Sequence, residues 1–177
     1  MTGSKRGGFM NSPETDEPEL TGGAFVGRET FRARVRSALL VGARQGWREI
    51  VLSDASFFDW PLGDRSLVEA LTAWAHVGHR LTMLAQRYDE VERQHPLFVV
   101  WRRQWAHKIE CRRVASADPM DLPSALWAPA WSVQRFDILR SSGISGGERE
   151  RLVALREQID GWLERSTAGF PATTLGL

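Results

Sequence analysis

One pattern constrains the fold of this chain more than any other: a short apolar run that stops at an aspartate, followed by a turn and a helix. Residues 50–53 form the run, and Asp54 ends it. A buried strand of an α/β sheet has this form where it delivers a polar side chain to the carboxyl edge. Residues 66–77 then carry a helical apolar stripe, and residues 80–85 predict a second strand. A strand, a helix and a strand in about 35 residues predict a right-handed unit with two parallel strands.

The remaining patterns extend this unit into a single α/β domain. Helices are predicted over residues 29–45, 88–94 and 97–107 and after Ser145, and strands over 49–53, 109–114, 124–128 and 131–136. Ser66 with Glu69, and Ser145 with Glu148, fit capping boxes, and Ser141–Gly143 predicts a break. We expect a mixed, largely parallel sheet flanked by helices over residues 25–166, a disordered tail over 1–24 and an extended tail that packs or pairs over 167–177.

Composition excludes several classes of function. The formal net charge of +1 gives no strong field to attract a nucleic acid or an anionic membrane, so it argues against a nucleic acid partner. The single cysteine, Cys111, excludes an internal disulfide and a multi-cysteine zinc site. No apolar run is long enough to span a membrane, and residues 1–20 lack the apolar core of a secretory signal. We therefore expect a cytoplasmic protein that does not enter a membrane.

Polar side chains that follow the predicted parallel strands are the candidate ligand-binding residues. Asp54 ends the first strand and Asp59 lies in the next turn, while Arg87 and Arg112 follow or end the other two strands. Carboxylates at this edge could act as acid and base, or they could cap turns and pair with the arginines. The motifs of nucleotide-binding loops, zinc proteases, serine hydrolases and paired cysteines are missing. We therefore predict no cofactor and no metal, and His76 with His79 is read as a polar helix end.

A second candidate surface lies between residues 101 and 108. Arg102 and Arg103 stand beside Trp101 and Trp105, and arginine next to aromatic rings is typical of nucleic-acid surfaces. On a helix, however, the two tryptophans share one face and the arginines point elsewhere. The spacing therefore favours core tryptophans and solvated arginines.

The order of the predicted elements and several local segments resemble one half of the phospholipase D superfamily. The segments that carry the resemblance are the strand that ends at Asp54, the strand over 81–84, residues 109–112 and residues 121–126. That family carries a catalytic His-x-Lys-x4-Asp motif in the last of these regions. The matching positions here are Ser124, Leu126 and Trp131, so the resemblance implies a degenerate site without phosphodiesterase activity. Residues 59–63 and 173–177 are also similar to a set of uncharacterised bacterial proteins, which implies no activity.

These observations leave three hypotheses. The first is a non-catalytic phospholipase D-like domain that binds a small ligand, another protein or a second copy of the chain. The second is an enzyme of unrecognised chemistry that uses the carboxylates at the sheet edge. The third is a nucleic-acid-binding module that uses Arg102, Arg103 and the arginines of residues 28–36. The absent motif favours the first of the three.

Overall fold

Eight strands form one mixed sheet in the computed structural model, which describes residues 17–171. The strands are β1 Gly23–Phe25, β2 Glu49–Ser53, β3 Arg80–Ala85, β4 Ile109–Arg113, β5 Ser124–Ala128, β6 Trp131–Asp137, β7 Ser142–Gly146 and β8 Thr167–Ala168. The helices are α1 Arg28–Gln45, α2 Arg65–Val77, α3 Asp89–Gln94, α4 Pro96–Gln104 and α5 Arg149–Glu164. No helix in this part of the chain is long and apolar enough to cross a membrane. The predicted α/β domain with a mixed sheet is confirmed.

Parallel pairing is confined to the centre of the sheet. The strand order is β1-β7-β6-β5-β2-β3-β4-β8, and only the pairs β2–β3 and β3–β4 are parallel. The predicted strand–helix–strand unit is therefore present. The sheet is less parallel than expected, because β5, β6 and β7 form an antiparallel meander beside β2 and because short strands close both edges.

Helices cover the two faces of the sheet unequally. Four helices, α1 to α4, supply the larger core, in which Leu52, Met83 and Leu126 of the sheet are fully buried. On the opposite face α5 packs alone, over Val51 and Trp127 among others. Successive side chains of a strand point to opposite faces, so this division follows from the alternation within β2, β3 and β5.

Two of the shorter strands differ from the sequence-based expectation, and a third agrees with it. The strand β1 begins within the predicted N-terminal tail and pairs with β7, whereas β8 lies within the predicted extended C-terminal tail and pairs with β4, as expected of a tail that packs or pairs. The strand β7 begins at Ser142, within the segment predicted as a break, and Ser145 lies in that strand while Glu148 occupies the cap position of α5. These strands are short or rich in Gly and Ser, and pairing with a neighbour creates them. Residues 1–16 and 172–177 of the predicted tails lie outside the described residues.

Candidate functional site

The loop that follows β2 is organised by the carboxylate of Asp54. Its Oδ1 accepts hydrogen bonds from the backbone N–H groups of Ser56 at 3.0 Å and Phe57 at 2.8 Å. Phe57 has a φ of 56°, which bulky residues rarely adopt, and its carbonyl also lies 3.0 Å from Nε2 of His95. The two contacts hold Phe57 in this conformation, and the loop turns back over the sheet edge.

The antiparallel strand β5 brings Ser124 to the same edge. Because Ser53 pairs with Ala125, the first residue of β5 lies beside the last residues of β2. The hydroxyl of Ser124 donates to Oδ2 of Asp54 at 2.6 Å. Both side chains are buried, so this bond is shielded from water.

The next strand contributes Arg135, which pairs in register with Ser124. Its side chain is only 2% exposed, and its guanidinium lies 4.1 Å from the ring centre of Phe31. A guanidinium has five N–H bonds. Five acceptor contacts surround it: Nε donates to Ser124 at 3.1 Å, Nη1 to Asp59 at 2.6 Å and to Ser141 at 3.3 Å, and Nη2 to Asp54 at 3.2 Å and to Asp59 at 3.1 Å.

The charges of this site are nearly balanced. Asp54 and Asp59 carry two negative charges, and Arg135 supplies one positive charge in direct contact with both. Arg28, which is half exposed, lies 3.7 Å from Asp59 and supplies the second. We call Asp54, Asp59, Ser124 and Arg135 the edge network. Each N–H donor of Arg135 has an acceptor and both carboxylates are paired with it, so the arrangement suits a structural role better than proton transfer.

A pocket of about 180 Å³ opens above the edge network. Its floor is polar, but its mouth is made by the exposed apolar side chains of Phe58, Met120 and Ile138. None of the described residues that line it is a histidine, lysine or cysteine. The pocket therefore offers shape and apolar surface rather than a free base or nucleophile.

The two predicted arginines of the ligand site lie elsewhere. Arg87 is exposed and pairs with Asp89 at 3.7 Å. Arg112 donates to the hydroxyl of Ser166 at 2.9 Å and to its carbonyl at 2.7 Å, which attaches the end of α5 to β4. Of the four predicted residues, the structure brings together only Asp54 and Asp59, and Arg135 takes the place of the predicted cations.

The predicted nucleic-acid residues do not form one surface. Arg103 is exposed as expected, but Arg102 is 6% exposed, and its Nε lies 3.3 Å from the thiol of Cys111. The expectation that both arginines are solvated is therefore wrong for Arg102. Trp101 is buried as predicted, and Trp105 is half-buried. Burial raises the pKa of the Cys111 thiol, which keeps it protonated and unreactive.

Sequence reasoning missed Arg135, although a signal was present. In β6, Trp131 and Val133 pack against the larger core, and Arg135 follows at the same spacing of two. A charged residue at an inward position of a strand requires a buried partner. The partner, Asp59, is 76 residues away in the chain, so only the sheet order identifies it.

A larger groove of about 590 Å³ runs beside α5 and is lined by Trp127, Leu152 and Val153 among others. A polar pocket of about 410 Å³ lies on the far side of Phe58. No group of three or more potential metal ligands lies together in residues 17–171.

No protein-family model and no curated protein matches the chain. One solved structure with a similar fold is that of TrmBL2, described as an archaeal chromatin protein with a novel mode of DNA binding. The TM-score is 0.62 at 13% sequence identity, and the match covers 89% of this chain and 57% of TrmBL2. The chain thus spans little more than half of that neighbour, and the likeness concerns the fold alone.

Proposed function

We propose that this chain is a non-catalytic, phospholipase D-like α/β domain that acts by binding, through the apolar mouth of the pocket above the edge network. One observation carries the proposal: all five N–H bonds of Arg135 find acceptors within the protein, and this one cation pairs with the carboxylates of both Asp54 and Asp59. A catalytic group needs a free lone pair or proton directed at the substrate.

The three positions of the family motif support the same view. Ser124, at the nucleophile position, donates its proton to Asp54 and accepts from Arg135. Leu126, at the lysine position, is fully buried in the larger core, and Trp131 packs against that core. Phosphoryl transfer by that mechanism requires a nucleophilic imidazole and a cation at these places, and neither Ser124 nor Leu126 supplies one.

The pocket mouth supports binding instead. Phe58 is 49% exposed, Met120 70% and Ile138 36%, and all three line one opening. Contiguous exposed apolar groups around a concave site mark places where a ligand or partner is bound. The expected occupant is an apolar group, either of a small ligand or of a partner protein's side chain.

Nile red, an uncharged dye whose fluorescence rises in apolar sites, tests this proposal. We expect the protein to enhance the dye's fluorescence and the variant Phe58→Ser with Met120→Ser to lose most of that enhancement. The matched control, Val77→Ser with Val100→Ser, removes two equally exposed apolar side chains away from the pocket and should retain it. Equal enhancement by both variants would contradict binding at the mouth. A loss of the enhancement in the single variant Val153→Ser would place the dye in the groove beside α5, and this result would also contradict binding at the mouth.

DNA binding is a second candidate function, and the similarity to TrmBL2 is the observation that favours it. The arginines of α1 do not provide a free surface for it. Arg32 donates to the carbonyl of Asp59, Arg34 to that of Thr21, and Arg36 pairs with Asp64. A DNA-binding surface has to be sought at another place in the fold.

A further inference from the structure

Basic side chains collect at the amino edge of the three parallel strands, opposite the edge network. Arg48 precedes β2, Arg80 begins β3, Lys108 precedes β4, and Arg103 lies in the last turn of α4. All but Lys108, which is half-buried, are exposed. We call these four residues the basic edge.

Backbone hydrogen bonds hold the segments of the basic edge together. The N–H groups of His79 and Arg80 donate to the carbonyl of Arg48 at 3.0 and 3.1 Å. The N–H of Leu81 donates to the carbonyl of Lys108 at 2.9 Å, and the amine of Lys108 reaches the carbonyl of Gly78 at 2.8 Å. The backbones of Arg48, Arg80 and Lys108 therefore lie side by side along one rim, although these residues are far apart in the sequence.

The acidic residues of the described ranges do not pair with this rim. None of its four members forms an ion pair with another residue in the described part of the chain, 17–171. Its acidic neighbours along the strands are engaged elsewhere: Glu49 pairs with Arg156 at 2.9 Å, and Glu110 lies 3.9 Å from Arg112. The net charge of +1 for the whole chain thus hides a concentrated local positive charge.

Aromatic rings accompany the charges. Trp105 is half-buried and stands between His76, at 4.9 Å between ring centres, and His107, at 5.9 Å. Both histidines are exposed. Trp47 is also half-buried and lies at the same rim, because it immediately precedes Arg48. Its carbonyl accepts a hydrogen bond from the indole N–H of Trp74.

We infer that the basic edge binds nucleic acid. Its four cations would contact phosphate groups, and the rings of Trp105, His76 and His107 would stack against bases. Nucleic-acid surfaces combine lysine and arginine, which contact phosphates, with aromatic rings, on which bases stack. A surface that binds an acidic protein or a lipid headgroup does not need such rings. This inference rests on the second candidate function, DNA binding, and not on the pocket. Binding at the basic edge and binding at the pocket mouth can therefore fail independently.

Fluorescence anisotropy with labelled short DNA, single-stranded and duplex, tests the inference on the full chain at about 50 mM salt, where phosphate contacts are strong. We expect binding that weakens steeply with salt. The variant Arg48→Glu with Arg80→Glu should weaken binding about tenfold or more, and its salt slope should fall by about two, since two phosphate contacts are lost. The control Arg87→Glu with Arg140→Glu makes the same change in net charge with exposed residues at the opposite edge, and it should bind like the wild type.

Three results would overturn the inference. One is the absence of DNA binding by the wild type at low salt. Another is an equal loss in the two double variants, both shown to be folded by thermal melts, because net charge alone would then explain binding. The third is binding of anionic lipid vesicles without binding of DNA. None of these results bears on the Nile red experiment, which probes the other edge of the sheet.

Discussion

Arg135 is the residue on which the edge network depends. It is buried, and among the described residues it is the only cation that forms an ion pair with both Asp54 and Asp59. A buried charge without a partner is far more costly than a matched pair, because neither water nor an opposite charge then compensates it. We therefore expect Arg135 to contribute strongly to the stability of the fold.

Replacing Arg135 tests this role. Arg135→Ala leaves two carboxylates close together without their shared cation, so we expect a loss of about 3–5 kcal/mol in the free energy of unfolding. Arg28→Ala removes a half-exposed partner of the same Asp59 and should change it by no more than about 0.5 kcal/mol. Urea unfolding of both variants measures the two effects. Equal small effects would mean that the network carries little stability.

Individual residues were predictable only where local patterns determine them. Asp54 was found because it ends an apolar run, which is a local signal. Arg102 was misjudged because its helix face is covered by β4, where Cys111 lies, and by Phe170 near the end of the described chain. Such contacts depend on which elements become neighbours, and that information is not local.

At the scale of elements, the N-terminus of α2 is fixed by Asp64 rather than by the predicted Ser66. The carboxylate of Asp64 accepts the N–H of Leu67 at 3.2 Å and the hydroxyl of Ser66 at 2.7 Å, and it pairs with Arg36 of α1 at 2.9 Å. These bonds, that of Ser66 first, lower the pKa of Asp64 from 3.8 to about 2. One side chain therefore caps α2 and ties it to α1.

This cap gives α2 a defined pH dependence. Because the pKa is lower in the folded state, the stabilisation by Asp64 is complete above about pH 4 and is lost as the pH falls through about 2. Asp64→Ala should lower the free energy of unfolding by about 1 kcal/mol at pH 7, as for the loss of a helix cap. The difference in the free energy of unfolding between Asp64→Ala and the wild type should shrink toward pH 2.

A second variant, Asp64→Asn, retains a capping oxygen without the charge and should lose less stability than Asp64→Ala at pH 7. A difference from wild type that stays constant from pH 7 to pH 2 would contradict the assigned pKa.

Regular elements with strong apolar periodicity were predicted well, and edge strands were not. The bounds of α1, β2, β3 and β5 follow from apolar spacing and agree with the prediction within a residue or two. The strands β1, β7 and β8 have few apolar residues and exist because a neighbouring strand offers hydrogen bonds. Sequence alone could therefore give the α/β class but not the extent of antiparallel pairing.

At the scale of the whole molecule, the sheet has two edges with different character. The carboxyl edge of β2 carries the edge network and an apolar mouth, and the opposite edge carries basic side chains that form no ion pair with the described residues. These two surfaces are the ones on which the proposed binding functions rest.

The most direct test of this account is the rate of hydrolysis of bis(4-nitrophenyl) phosphate by the purified chain, with and without divalent metal ions. We predict that the wild type and Ser124→Ala both give the rate of buffer alone, because the hydroxyl of Ser124, which the proposed resemblance places at the nucleophile position, is held between Asp54 and Arg135. Turnover that follows the protein through repurification and disappears in a folded Ser124→Ala variant would contradict it.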